Sequence, residues 1–170
     1  KKRAQSTGLS RGGFREDIRF NTTPVSRVPA TVLIPKGLTK PAPAVVLLHS
    51  HGGFYLWGRE RELEGDDVHP TLIEMRESYG KKAIGTELVR QGYVVISIDM
   101  FFWGERRMVL EDDPPEWKER PVGISSDSVT KFNQRSSASE QLMGRTLLSA
   151  GVTWAGIIAW DDIRTVDYLI

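Results

Sequence analysis

The chain has 170 residues, 39% of them hydrophobic, and its 23 Lys and Arg against 22 Asp and Glu leave a net charge of +1. Basic and acidic residues are interspersed rather than gathered into runs, so the balance asks for neither nucleic acid nor an anionic membrane as a partner. There is no cysteine, which removes disulfides and thiolate chemistry, and no apolar stretch approaches the ~20 residues of a membrane span.

Residues 1–23 are polar apart from a short alternating patch, Phe14 to Phe20, which reads as a first edge strand. Val25 to Pro35 reads as a second strand, with Val28, Ala30, Val32 and Ile34 on one face by period-two spacing. Ala44 to Leu48 is an unbroken apolar run, the pattern of a strand covered on both faces. An aromatic and charged loop follows, and Pro70 to Gln91 then reads as helical with an interruption near Gly80. Gly92 suits a left-handed helix stop, and Tyr93 to Ile98 reads as another buried strand ending at Asp99. Two buried strands with a helix between them predict a βαβ unit with a parallel pair.

Glu105 to Gln141 is a polar insertion whose Pro114, Pro115 and Pro121 oppose regular structure in its first half, with a short helix predicted over Ser128 to Gln141. Beyond it, Leu148, Val152, Ala155, Ala159, Ile163, Val166 and Ile170 recur at steps of four, three, four, four, three and four. That spacing predicts one long amphipathic helix with a single apolar stripe. Gly151 and Gly156 within it each cost about 1 kcal/mol relative to Ala, which points to close packing against a neighbour.

Two readings compete at His49-Ser50-His51-Gly52-Gly53. Imidazoles two apart at a strand end can share a metal, but such a site needs further ligands from later strands. His69 is the one other histidine, and Asp66, Asp67 and Asp99 stand at no ligand spacing. In the other reading Gly52 and Gly53, lacking Cβ, let the main chain turn sharply and aim an N–H into a cleft. A donor fixed there stabilises the oxyanion of a tetrahedral intermediate, and losing one typically costs about 3 kcal/mol. A tight turn without chemistry is the plainer alternative.

Further along, "IDMFFWGERR" (Ile98 to Arg107) puts Asp99 at a strand end and Gly104 five residues later, and "LLSAGVTWAGIIAWDDIRTVDYL" follows the insertion. With these segments the sequence resembles α/β-hydrolases of the dienelactone hydrolase and acetyl xylan esterase type, from about Val28 to Ile170. The most specific part is the last one, where Leu148, Gly151, Thr153, Gly156, Asp161, Arg164, Asp167, Tyr168 and Leu169 stand at the family's places. Ser50 and a second histidine before Gly52, and Glu105-Arg106 where the family has a second glycine, depart from its pattern.

The resemblance implies an α/β fold: the N-terminal half of an α/β-hydrolase, with a mostly parallel sheet flanked by helices. Residues 1–170 would form a partial domain, with 105–141 as its insertion, ending before the nucleophile strand. The one Gly-x-Ser-x-Gly in the sequence, Gly8 to Gly12, comes ahead of the predicted strands and not after the last helix where the family carries its nucleophile, so the resemblance puts the family's Ser, its acid and its His outside residues 1–170. The implied activity is hydrolysis of a small-molecule carboxylic ester, an acetylated carbohydrate or a lactone. The backbone N–H of Gly53 or Phe54 would hold the oxyanion, and no metal or organic cofactor is implied.

Tyr55, Trp57 and Trp103 follow the two strand ends and either line the substrate pocket or pack beneath the insertion. His51 reads as a loop-bonding residue, Arg59 to Glu62 as a solvated or ion-paired segment, and Asp161, Arg164 and Asp167 as ion pairs to the insertion. The implied strand order is first, second, fourth, third, which leaves Ala44 to Leu48 as a bare edge. That edge and the stripe Leu148 to Ile170 are expected to be covered by a missing C-terminal half or a second chain. Two other functions stay in view. One is a non-catalytic half-domain that pairs with another polypeptide; the other is a metal-dependent hydrolase using the His-x-His pair.

Overall fold

Alternation in the first part of the chain becomes an antiparallel ladder. In the computed structural model, which describes residues 7–9, 13–65, 69–119 and 121–170, the strands are β1 (Thr7–Leu9), β2 (Gly13–Asn21), β3 (Arg27–Pro35), β4 (Ala44–Val46) and β5 (Val94–Ile98). They lie in the order β1-β2-β3-β5-β4. The pairs β1–β2, β2–β3 and β3–β5 are antiparallel, and only β4–β5 is parallel. The expected mostly parallel sheet is therefore corrected to a mostly antiparallel one. The chain crosses over once, between β4 and β5, while every other neighbour arrives from the opposite direction. The patch at Phe14 is also not the edge, since β1 pairs outside it. The predicted order of the remaining strands is the one observed.

Both faces of the sheet's centre are buried. Val28, Ala30 and Val32 pack with Ile18, Ile96 and Ile98 on one face, while Leu33 and Val95 pack with Leu63 and Val89 on the other. A third cluster lies beyond the strand ends, where Tyr55, Leu56, Trp57, Phe102 and Trp103 meet Ile124, Val129 and Phe132 of the insertion.

The helices are α1 (Pro70–Met75), α2 (Ile84–Arg90), α3 (Pro115–Lys118), α4 (Ser126–Ser149) and α5 (Trp154–Leu169). The short helix predicted over Ser128 to Gln141 is thus a 24-residue helix that outruns the insertion. The single long helix predicted from Leu148 is two helices, α4 and α5, bent by 78°. The reason is local. Gly151, at φ +81°, takes the left-handed position, while its N–H bonds Leu148 O at 3.0 Å and the Val152 N–H bonds Leu147 O at 3.1 Å. This pair of bonds terminates a helix. Thr153 then caps α5 by accepting the Gly156 N–H at 3.0 Å, and a Cβ at Gly156 would sit 2.8 Å from the Thr153 hydroxyl. The two glycines make a stop and a start, not a close packing against a neighbour.

The face of α5 turned inward carries Trp154, Ile158, Asp161, Thr165 and Tyr168. Tyr168 stacks on Phe20 at 5.3 Å, and Trp160 donates its indole N–H to Thr22 O at 2.8 Å. The stripe read from the sequence faces out, with Ile163 55% and Val166 46% exposed. At the other end of the sheet β4 pairs with β5 alone, and Leu48 beyond it is 52% exposed. Among the described residues no single helix is long and apolar enough to cross a membrane.

Candidate functional site

The carboxyl ends of β4 and β5 lie side by side and point the same way, which is where open α/β sheets place their ligands. Two loops leave from there, 47–58 after β4 and 99–107 after β5.

His49 locks the two loops together. It is 3% exposed, and its Nε2 accepts the Met100 N–H at 3.1 Å, so the ring proton is on Nδ1, which faces Ser50 O at 3.2 Å. Burial lowers its pKa to about 3, with Arg61 and Arg59 adding to the effect against the Ser50 bond. It is a neutral, structural histidine.

Arg61 shapes the turn. Its guanidinium donates to Ser50 O, to His51 O at 3.1 Å and to Ser50 Oγ at 2.8 Å. A Cβ on Gly52, which sits at φ +53°, would overlap Arg61 Nη2. Glycine is required there by the arginine and by the backbone together. Gly53, at φ +72°, turns its N–H back to His51 Nδ1 at 3.2 Å. The Phe54 N–H has no hydrogen-bond partner among the described residues. Of the two oxyanion candidates, one is engaged and the other is open.

The segment Arg59 to Glu62 is ion-paired but not solvated, since both of its arginines are buried. Asp99, fully buried, accepts the N–H groups of Arg59 and Glu105, each at 2.9 Å, and pairs with the Arg59 guanidinium. Arg59 also donates to Thr31 Oγ1 at 3.0 Å and pairs with Glu105 at 2.6 Å. Burial works against its charge, but Asp99, Glu60 and Glu105 outweigh burial and hold its pKa above the ordinary value. A Cβ on Gly58 or on Gly104 (φ +59°) would collide with the Asp99 carboxylate. Asp99 is enclosed and fixes the loops; it does not face the cleft. Asp161 reaches the insertion through Arg106 at 2.7 Å, whereas Arg164 and Asp167 pair only with each other among the described residues.

The cleft itself has a volume of about 610 Å³ and is lined by His51, Met100, Trp103, Glu140, Trp154 and Ile158, among others. Of the three aromatics expected to line it, Trp103 does so, and its indole N–H is buried without a partner among the described residues. Tyr55 and Trp57 are core residues, packed beneath the insertion with Phe132 and Ile124. Tyr55 stacks on Trp103 at 5.3 Å, and Trp57 lies against His69 at 5.0 Å. Burial and Glu140 push the Tyr55 phenol up to about 12, which keeps it a donor.

Glu140, Trp154 and Met100 escaped the sequence reading. Glu140 sits within the polar insertion and Trp154 at a predicted mid-helix position, so neither stood at a motif. Of the His-x-His pair, His49 has both ring nitrogens engaged by protein groups, as does His51, whose Nε2 meets Glu140 Oε1 at 2.6 Å. Among the described residues no three His, Asp or Glu side chains converge as metal ligands.

No family model matches the chain. Over 143 residues, 84% of its length, it is 27% identical to "Putative hydrolase YtaP" of Bacillus subtilis (strain 168), of which it spans 35%. Its fold matches that of a "putative acetyl xylan esterase" from Bacteroides fragilis NCTC 9343 with a TM-score of 0.65 at 20% identity, over 96% of this chain and 36% of that one. The chain therefore spans about a third of the length of each of these two proteins. The fold is a mixed α/β architecture similar to that of the second protein, with helices around the sheet and a cleft at the ends of its parallel pair.

Proposed function

We propose that this chain is the N-terminal part of a serine-type carboxylic ester hydrolase, providing the oxyanion loop while the nucleophilic Ser, its His and the acid come from outside residues 1–170. The observation that carries this reading is the glycine turn at the cleft. Arg61 and two left-handed glycines hold residues 51–54 so that the Phe54 N–H has no partner among the described residues, three residues past His51, which lines the cleft where Gly53 and Phe54 do not. A donor fixed in that way is what a tetrahedral intermediate needs. The putative hydrolase and the putative acetyl xylan esterase, each more than twice the length of the chain, support the same class and supply room for a triad.

In this mechanism the Ser attacks the ester carbonyl while the His takes its proton, and the negative oxygen settles against Phe54 N–H, with Gly53 N–H as the alternative donor. The His then protonates the departing alcohol, and water releases the acid by the same steps. Trp103, which lines the cleft, lies where the acyl or alcohol part would rest. An acetylated carbohydrate or a lactone fits the class of ester.

A non-catalytic half-domain pairing with another polypeptide is the second reading, favoured by the exposed outer face of α5 and the unpaired side of β4. A fluorophosphonate probe and a p-nitrophenyl acetate assay on the natural protein that carries this sequence separate the two. Labelling at a Ser outside residues 1–170, together with acetate release, is expected. No labelling and no turnover would leave the pairing reading in its place.

A further inference from the structure

Helix α4 touches the loop that carries the oxyanion donor at an unexpected point. The Tyr55 N–H donates to Asn133 Oδ1 at 3.0 Å, and seven residues along the same helix Glu140 Oε1 takes two more bonds, from the Tyr55 hydroxyl and His51 Nε2, each at 2.6 Å. Seven residues are two helical turns, so Asn133 and Glu140 share one face of α4. That face runs along the loop from Tyr55 back to His51.

The proton positions follow from the donors. A backbone N–H can only donate, so the Gly53 N–H at 3.2 Å requires a lone pair on His51 Nδ1. The ring proton is therefore on Nε2 and points to Glu140. The tyrosine hydroxyl and the imidazole N–H converge on one carboxylate oxygen, with charge-assisted geometry at both. His51 is thus held from two sides: its carbonyl by Arg61, its ring by Glu140.

We propose that Glu140 is a positioning residue for the oxyanion loop, fixing the tautomer of His51 so that His51 binds Gly53 N–H and leaves Phe54 N–H as the donor to the substrate. This rests on the ester-hydrolase reading for its catalytic consequence, but not for the clamp itself. Glu140 touches no reacting atom; it acts through His51. Its role depends first on where the oxygen stands, because an acceptor at that point receives both donors even without the added strength of the charge. Gln offers an oxygen at the same reach and preserves the clamp. Asp keeps the charge but withdraws the oxygen by a methylene length, and the clamp opens.

The test uses the natural protein carrying this sequence, labelled with 15N-histidine, alongside its Glu140→Gln and Glu140→Asp variants. His51 is expected in the Nε2–H tautomer in the parent and in E140Q, and in a mixture in E140D. With p-nitrophenyl acetate, E140Q keeps kcat within about threefold, while E140D loses about a hundredfold in kcat with KM changed little, the size expected of a displaced catalytic group. An Nδ1–H tautomer in the parent overturns the clamp whatever the activity, as does an E140D variant with parental tautomer and kcat. A parent with no esterase activity but the expected tautomers, sensitive to E140D, supports the clamp and refutes the hydrolase reading instead.

Discussion

The ends of the parallel strands and the outer face of α5 treat polar and apolar groups in opposite ways. At the strand ends Asp99, Arg59, Arg61 and His49 are taken out of water, and almost every polar atom finds a donor or acceptor there. Along α5 the residues kept from water include Asp161 and Thr165, while Ile163, Val166 and Ile170 are left in it. The first arrangement is satisfied by its own neighbours. The second gains only when another apolar surface lies on it. One region sets stability within these residues, and the other is a surface whose worth depends on a partner.

Arg59 carries the largest expected effect. Its replacement by Met leaves the Asp99 carboxylate buried without its cation, and denaturant unfolding is expected to register a loss of roughly 3–5 kcal/mol. Gly104→Ala sharpens the same point from the backbone side, since a Cβ there meets Asp99 at a positive φ. A loss of about 2–3 kcal/mol is expected in the same measurement, from strain and overlap together.

Acid tests the buried histidine. His49 titrates near 3 when folded against an ordinary 6.5, so the unfolded chain takes up the proton first. Its contribution is present above pH 6.5 and lost as pH falls from there toward 3. Between pH 7 and pH 5 the expected loss is about 2 kcal/mol, read from the shift in urea midpoint and absent in a His49→Asn variant. The smallest effect belongs to the outer face of α5: Ile163→Thr is expected to change the stability of residues 1–170 by no more than about 0.5 kcal/mol. Light scattering should nonetheless show slower association of that variant, and an unchanged rate would count against the face as an unpartnered surface.

These regions were not equally readable in advance. The identity of the central strands was legible because Val28, Ala30 and Val32 alternate and the runs at Ala44 and Val94 are strongly apolar, whereas their order came only from the family resemblance. Strand direction did not, since alternation is blind to polarity and only β4–β5 has a crossover helix to betray it. The stripe in α5 was visible as a period but pointed the wrong way for this chain's own core. Nothing in a period says which face Asp161, paired to Arg106 far behind it in sequence, will take inside. At the cleft the glycine turn was legible as a device, yet the agent that demands it, Arg61, looked like one more charge in a charged loop. Glu140 gave no signal at all, because its partners lie 85 and 89 residues away.

The sheet also carries an order in time. β2 and β3 are joined by residues 22–26 and match along nine register pairs, whereas β4 meets β5 over three pairs with residues 47–93 between them. Closing the longer segment costs about 2 kcal/mol more chain entropy than closing the shorter one, for a third of the ladder. The hairpin can therefore assemble early and alone, and the parallel pair must wait for α2 to settle on β3 and β5. The Leu47 N–H, bonded to Ile96 O at 2.8 Å, should gain protection late in refolding and lose it early to solvent deuterium. The glycine turn begins five residues beyond it, so the loop that organises the cleft is tied to the sheet by its least durable strand.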